Sequence, residues 1–442
     1  VDLNRYFKIK ERNSNVKTEI IAGVTTFMTM AYILVVQPGS IVGYGPDPSL
    51  VDVAGVLVSK QAIMVMCALV SAGITALMAF YADMPFALST GLGSNFMFGA
   101  LIQSGHCSLG RAMAITLVSG LLFVTLSVFG IRDLIVRMIP KNIKVSIGTA
   151  IGFFIAYIGF KNTGIGSYAN GIALGDFTQP AVILALFGLL LIGVLTAYKV
   201  PGAILVGIVI ITVIGIPMGV TKVPSALLTV PSFGEVGNIV LNFDFTRFLT
   251  AETIALMFIV FVGDFFSTLG TVLGVAGKAK MLDENGDLPD IQKPFLVDAI
   301  GTCVGACCGC TTITTYVESS SGVEAGGRTG LTALTTALLF LSTVFAAPLF
   351  LMIPNAATGP ALIFVGFLMA SGITQVDFSD FTEAFGPFVM IMFTAFAGSI
   401  AGGIAAGILA YVFIKTATGR FKEVHPGMYL LSIPLILYFI YG

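Results

Sequence analysis

Apolar residues in this chain arrive in repeated blocks of about 17 to 25 residues, with Thr25 to Val36 and Ile63 to Phe80 inside two of the earliest. At 1.5 Å of rise per residue, a helix of that length crosses a hydrocarbon layer roughly 30 Å thick. Composition gives these blocks no other destination. Hydrophobic residues make up 56% of the 442 and charged residues only 10%, against about a quarter charged in an ordinary soluble domain. The expectation is an all-α polytopic membrane protein embedded in a lipid bilayer. Fourteen candidate transmembrane segments can be drawn, the first near residues 19–43 and the last near 399–416. Met428 to Tyr441 is apolar but short, and reads equally as a tilted span, a re-entrant piece or an interfacial helix.

Charge sets the orientation. The polar stretch Val1 to Val16 lacks the apolar core of a cleavable signal and reads as a retained tail. Lys8, Lys10, Arg12 and Lys17 precede the first span, Arg132, Arg137, Lys141 and Lys144 follow the fourth, and Lys278, Lys280 and Lys293 follow the eighth. The positive-inside rule then places the N-terminus in the cytoplasm, in a multi-pass protein of the cell membrane, plasma or inner. A formal net charge of -1 with no long basic block excludes nucleic acid as a partner.

The largest polar gap, Val223 to Thr250, divides the chain near its middle. The expected organisation is a cytoplasmic tail (1–18), a first seven-span repeat (19–220), a polar connection (221–251), a second seven-span repeat (252–416) and a C-terminal segment (417–442). Seven is odd, so the two repeats are inverted in the membrane. Inverted repeats place substrate near the midplane, beside interrupted helices. Each half has such an interruption in its third span: Pro85 to Asn95, and Thr311 to Gly322. Backbone of this Gly- and Ser/Thr-rich kind survives at membrane depth only where protein or a cavity satisfies its polar groups. Short extended breaks are therefore expected in spans 3 and 10.

Ionisable residues inside spans cost roughly 2.5 to 3.5 kcal/mol on insertion scales and mark function. Two are read as deep: Asp264, flanked by Phe258 to Gly263 and by Phe265 and Phe266, and Glu318 in the interrupted tenth span. A buried carboxylate can accept ligand N–H groups and can load and release a proton. Glu318 is the candidate for direct substrate contact, and Asp264 for proton coupling or a second contact. Asp83, Asp377, Asp380 and Glu383 sit at span ends, and Glu324 and Arg328 are expected to pair with each other or with the cytoplasmic surface rather than to touch substrate. Cys303, Cys307, Cys308 and Cys310 have no nearby His and irregular spacing, so they read as close-packing small residues and no metal site is expected. His106 and His425 read as loop residues.

The stretch Tyr316 to Ala333, with Glu318-Ser319-Ser320-Ser321-Gly322 and Gly326-Gly327-Arg328-Thr329-Gly330, resembles the tenth-span signature of the AzgA-like purine permeases. These are a branch of the nucleobase-cation symporter-2 superfamily. Thr25 to Tyr32, Gly91 to Asn95, Ile151 to Phe154 and Gly159 to Gly164 match as well. The resemblance implies fourteen spans in two inverted sevens, with a core domain (spans 1–4 and 8–11) moving against a gate domain (5–7 and 12–14). It implies a purine nucleobase (guanine, hypoxanthine or adenine) carried by proton symport, without a cofactor, and a homodimer as the assembly to consider. It carries substrate binding onto Glu318, Asp264 and Asn95, with Tyr316, Val317 and Thr26 in the matching stretches as further candidates, and proton coupling onto Asp264 and Glu318. One departure stands out: many relatives carry a second acid three residues after Asp264, where this chain has Ser267.

Two other classes compete. An anion transporter or channel on the same inverted plan is disfavoured by acids at the site, which repel anions. A lipid-modifying membrane enzyme would need clustered acid/base or metal groups, and only Asp283, Glu284, Asp287 and Asp290 are even loosely clustered.

Overall fold

A computed structural model describes residues 3–130, 138–168, 171–246, 248–282 and 288–441. Arg132, Arg137 and the acidic residues Asp283, Glu284 and Asp287 lie outside the described residues. Among those described, nine helices are long and apolar enough to cross a membrane, and three shorter apolar helices accompany them.

In chain order the first half contains α1 (Val16–Val42) and α2 (Lys60–Ala82), a short strand β1 (Leu88–Thr90) and α3 (Leu92–Gln103). It continues with α4 (Leu109–Val128), α5 (Lys141–Thr163), α6 (Pro180–Ala197) and α7 (Ala203–Gly215). The second half contains α8 (Ala251–Lys278), α9 (Gln292–Cys307), a strand β2 (Ile313–Thr315) and a single helical turn and a half, α10 (Ser319–Glu324). After it come α11 (Gly330–Leu351), α12 (Asn355–Gln375), α13 (Phe381–Phe396), α14 (Ile400–Ala417) and α15 (Pro426–Tyr441).

Local sequence accounts for the interruptions that matter. α1 pauses at Ala31 and Tyr32, between helical stretches Val16–Met30 and Ile33–Val42. α2 closes in a wide turn, Met78–Ala82, and Asp83 then takes a left-handed conformation (φ 50) that ends the helix. Pro85 follows, lacks an N–H and biases its predecessor to extended backbone, so the chain enters the membrane as a strand.

The helices pack mainly within two sets: α1–α4 with α8–α11, and α5–α7 with α12–α14. Small residues bring backbones together inside each set, as expected where lipid supplies no hydrophobic drive between helices. At the α5–α12 crossing a Cβ on Gly152 would lie 2.7 Å from the Met369 Cβ and 2.9 Å from the Gly366 carbonyl, so only glycine fits. Cys303 likewise packs its Sγ against Gly120 of α4. The C-terminal helix α15 touches both sets, lying on α8 and on α14, where Tyr429 Oη and Thr416 Oγ1 are 2.8 Å apart. His106 is exposed and His425 half-buried in connections.

Three sequence expectations need correction. Asp264 and Glu318 are not the only deep acids, because Asp298 in α9 and Glu19 in α1 are fully buried. Both are tolerated because donors surround them: Glu19 accepts from the Arg328 and Thr329 N–H groups (3.0 and 3.2 Å) and from Thr332 Oγ1 (2.6 Å). Nor do Glu324 and Arg328 pair with each other. Glu324 binds Lys278 at 2.8 Å, while the Arg328 side chain donates to the Val323 and Gly327 carbonyls at 2.6 and 2.7 Å. The N-terminal tail is also more than a polar leader: Phe7 and Ile9 are buried against Ala79, Leu331 and Ala333, and Arg12 pairs with Asp83 at 2.9 Å.

Candidate substrate site

The two interrupted spans meet as a two-stranded antiparallel ladder at membrane depth. Leu88 pairs with Thr315, Ser89 with Thr314 and Thr90 with Ile313. The ladder is lengthened by Gly91 N–H to the Thr312 carbonyl (2.7 Å) and Tyr316 N–H to the Ala87 carbonyl (3.0 Å). Each strand thus supplies the partners that lipid cannot, which is the condition for extended backbone in a membrane. Gly91 is required there, since a Cβ would collide with Thr312 Oγ1.

Hydroxyl and carboxyl side chains hold the ladder from behind. Asp298 accepts from the Thr315 N–H (2.8 Å), Thr315 Oγ1 (3.0 Å) and Thr268 Oγ1 (2.8 Å), tying β2 to α8 and α9. Thr75 Oγ1 donates to the Leu88 carbonyl (3.1 Å), and Ser319 Oγ accepts from the Ala87 N–H (3.0 Å). Tyr316 Oη donates to the Thr90 carbonyl at 2.5 Å. Asn95 donates through Nδ2 to Thr90 Oγ1 (3.1 Å) and accepts from Thr311 Oγ1, linking the two strands at one end of the ladder.

In front of the ladder lies a cavity of about 1260 Å³ between the two helix sets. Its inner wall is Gly91 to Ser94 at the start of α3, Asp264 and Ser267 of α8, and Thr314 to Glu318. The opposite wall comes from α5, α7 and α12, with Gly148, Ile204 and Phe364 among the lining residues. Lys144, Lys199, Lys278 and Glu324 also line it, and the Lys278–Glu324 pair is more than half exposed, so the cavity reaches one face of the protein.

The expected site residues divide. Glu318, Asp264, Tyr316 and Val317 line the cavity together; Asn95 and Thr26 do not. Asn95 is fully buried behind the ladder, and Thr26 Oγ1 is buried against Gly322, where a Cβ would strike it. Asp264 accepts from Thr302 Oγ1 through Oδ2 (2.9 Å), while Oδ1 is buried without a hydrogen bond among the described residues. Glu318 accepts from Tyr32 Oη at 2.6 Å through Oε1. Ser267, where the family resemblance expects an acid, faces the cavity, with the Lys144 ammonium 5.5 Å from the neighbouring Phe266 ring centre. Sequence reading missed Tyr32 and Asp298. Tyr32 lies in a matched stretch whose break in α1 is invisible in composition, and Asp298 sits near the start of an apolar block, where a solvated carboxylate is the ordinary expectation.

Comparison with known proteins agrees with this architecture. Residues 17–406 match the model Xan_ur_permease, described as a permease family. A permease-named protein of Methanocaldococcus jannaschii is 38% identical over 442 residues, covering 99% of this chain and 98% of that one. The guanine/hypoxanthine permease PbuO of Bacillus subtilis is 35% identical (98% and 99% covered), and the adenine permease AdeP of Escherichia coli 33% (98% and 95%). In fold, the transmembrane domain of a cyanobacterial bicarbonate transporter, BicA, superposes with a TM-score of 0.59 at 16% identity, covering 89% of this chain and 97% of that one. A match of this length, with relatives that align end to end, makes the protein a multi-pass transporter rather than an enzyme: the chain belongs to the nucleobase-cation symporter-2 permease family.

Proposed function

We propose that this protein is a secondary active importer of purine nucleobases, working by proton symport and alternating access. The observation that carries this reading is the pair of buried carboxylates, Glu318 and Asp264, facing one cavity beside a backbone ladder. A purine is a flat ring with N–H donors and acceptors on its edges. Carboxylates accept the donors, and hydroxyls and amides beside the ladder read the acceptors. Glu318 is the principal substrate contact, with Val317 and Tyr316 beside it. Asp264, with one oxygen free, serves as proton carrier or second contact. Asn95 and Thr26 act through the ladder and the α1–α10 contact, since neither lines the cavity.

In this reading the molecule has fourteen spans in two inverted sevens (19–220 and 252–416, joined by 221–251). The set α1–α4 with α8–α11 is the core domain and the other set the gate. The tail (1–18) and the cavity mouth at Lys144 and Lys278 face the cytoplasm of a cell bounded by this membrane, so the conformation is inward-facing. Two copies form a homodimer. Guanine, hypoxanthine and adenine are the candidate bases, as the relatives' names suggest. The shared fold with a bicarbonate transporter does not favour an anion, because the inner wall carries two acids.

Uptake of radiolabelled guanine, hypoxanthine and adenine into proteoliposomes, with and without an inward proton gradient, tests the proposal. Accumulation of at least one base is expected only with the gradient. Absence of uptake for all three would end the purine reading, and gradient-independent equilibration would end the symport.

A further inference from the structure

Glu318 has two carboxylate oxygens, and one of them already accepts a hydrogen bond from the protein. Tyr32 is 2% exposed, does not line the cavity, and donates its phenol hydrogen to Oε1 at 2.6 Å. Its place is fixed by backbone. Tyr32 sits at the pause of α1, and its own carbonyl accepts from both the Val35 and Val36 N–H groups (3.0 Å each), so the helix restarts from this residue. Glu318 is fixed as well: its carbonyl accepts from Ser321 N–H at 3.0 Å and from Ser321 Oγ at 2.7 Å. Two rigid elements therefore hold the phenol and the carboxylate in register.

We propose that Tyr32 is a specificity-determining positioning residue that satisfies Oε1 of Glu318 whichever purine is bound, so that a second ligand N–H adds little there. The inference deepens the proposed function and rests on it. The chemistry separates two substrates. Hypoxanthine presents one N–H on its six-membered ring, at N1. Guanine presents N1–H and an adjacent exocyclic amine, a parallel pair of donors matched to both oxygens of a free carboxylate in the way a guanidinium is. With Oε1 already satisfied by the phenol, guanine's second donor meets a weakened acceptor there, and Tyr32 narrows the advantage of the 2-amino group. Without the phenol hydroxyl, Oε1 loses that donor and depends on the ligand for one. Guanine then satisfies both, whereas hypoxanthine leaves one buried oxygen unpaired, which is costly for a charged group.

The test is competition binding of guanine and hypoxanthine to purified wild-type protein, Tyr32→Phe and Tyr32→His, each checked for monodispersity. In Tyr32→Phe the ratio of guanine to hypoxanthine affinity is expected to rise about tenfold, the size of one charge-assisted hydrogen bond. Tyr32→His, whose ring N–H replaces the lost donor, is expected to keep the ratio closer to wild type, and it carries the comparison if Tyr32→Phe does not fold. An unchanged ratio in Tyr32→Phe, or equal ratios in Tyr32→Phe and Tyr32→His, overturns the proposal, because a packing role would weaken both bases alike. If wild-type protein binds neither base while remaining monodisperse, the purine reading itself has failed.

Discussion

At the scale of single residues, the site is organised by what each buried acid already binds. Asp298 has three donors within 3.0 Å and is occupied with structure, whereas among the described residues Asp264 Oδ1 has no hydrogen bond and Glu318 accepts a side-chain donor only from Tyr32. Free acceptors beside a cavity are the ones a ligand or proton can use. Glu318→Gln turns an acceptor into a mixed donor and acceptor, and is expected to weaken purine binding at least tenfold, about the worth of one charged hydrogen bond. Isothermal titration with the transported base would show this, and wild-type affinity would remove Glu318 from the site. For Asp264→Asn the expected outcome is different: base-for-base exchange persists while gradient-driven accumulation is lost. Normal pH-driven accumulation in that variant would end the coupling role.

At the scale of elements, the ladder of β1 and β2 does the positioning. Sequence made it partly legible, since Gly91, Gly93 and the Ser/Thr run from Thr311 to Ser321 are poor helix and fall in matching spans. What it did not reveal is that the two breaks pair with each other, because register between segments so far apart leaves no local periodicity. The same blindness hid Asp298: nothing around Phe295, Val297 and Ala299 announces that its carboxylate anchors the Thr315 N–H. The pause at Tyr32 went unread for a similar reason, since Ala31 and Tyr32 are compatible with continuous helix. Asp298→Asn places an amide where two donors converge on Oδ2, and is expected to destabilise the protein by about 1 to 3 kcal/mol. Thermal unfolding in detergent, followed by loss of monodispersity, is the measurement; an unaltered midpoint would mean that β2 holds its place without this anchor.

For the whole molecule, the helical membrane architecture was legible from block length, and the placement of the C-terminal helix was not, because its 16 residues fit several membrane placements. Packing decided its surroundings, against α8 and α14. The cavity between the two helix sets, with Lys278 and Glu324 at its exposed mouth, yields a directional prediction. Gly148 lines the cavity and has open space where a Cβ would be built, so cysteine fits there. Gly148→Cys is expected to react with a membrane-impermeant maleimide from the cytoplasmic side beyond the level of the parent chain, and to be protected by transported base. Labelling from the outer side alone would reverse the assigned orientation.

The ladder also bears on how the protein is made. β1 precedes β2 by roughly 220 residues, which is on the order of ten to fifty seconds of synthesis. Throughout that interval the N–H and C=O groups of Leu88 to Thr90 have no strand to pair with, at a depth where lipid offers no substitute. The nascent first half must therefore keep this segment in water or against the insertion machinery until β2 emerges. The two halves cannot mature as independent folding units, and a ribosome that stalls before Ile313 leaves an exposed strand edge for cellular quality control to find.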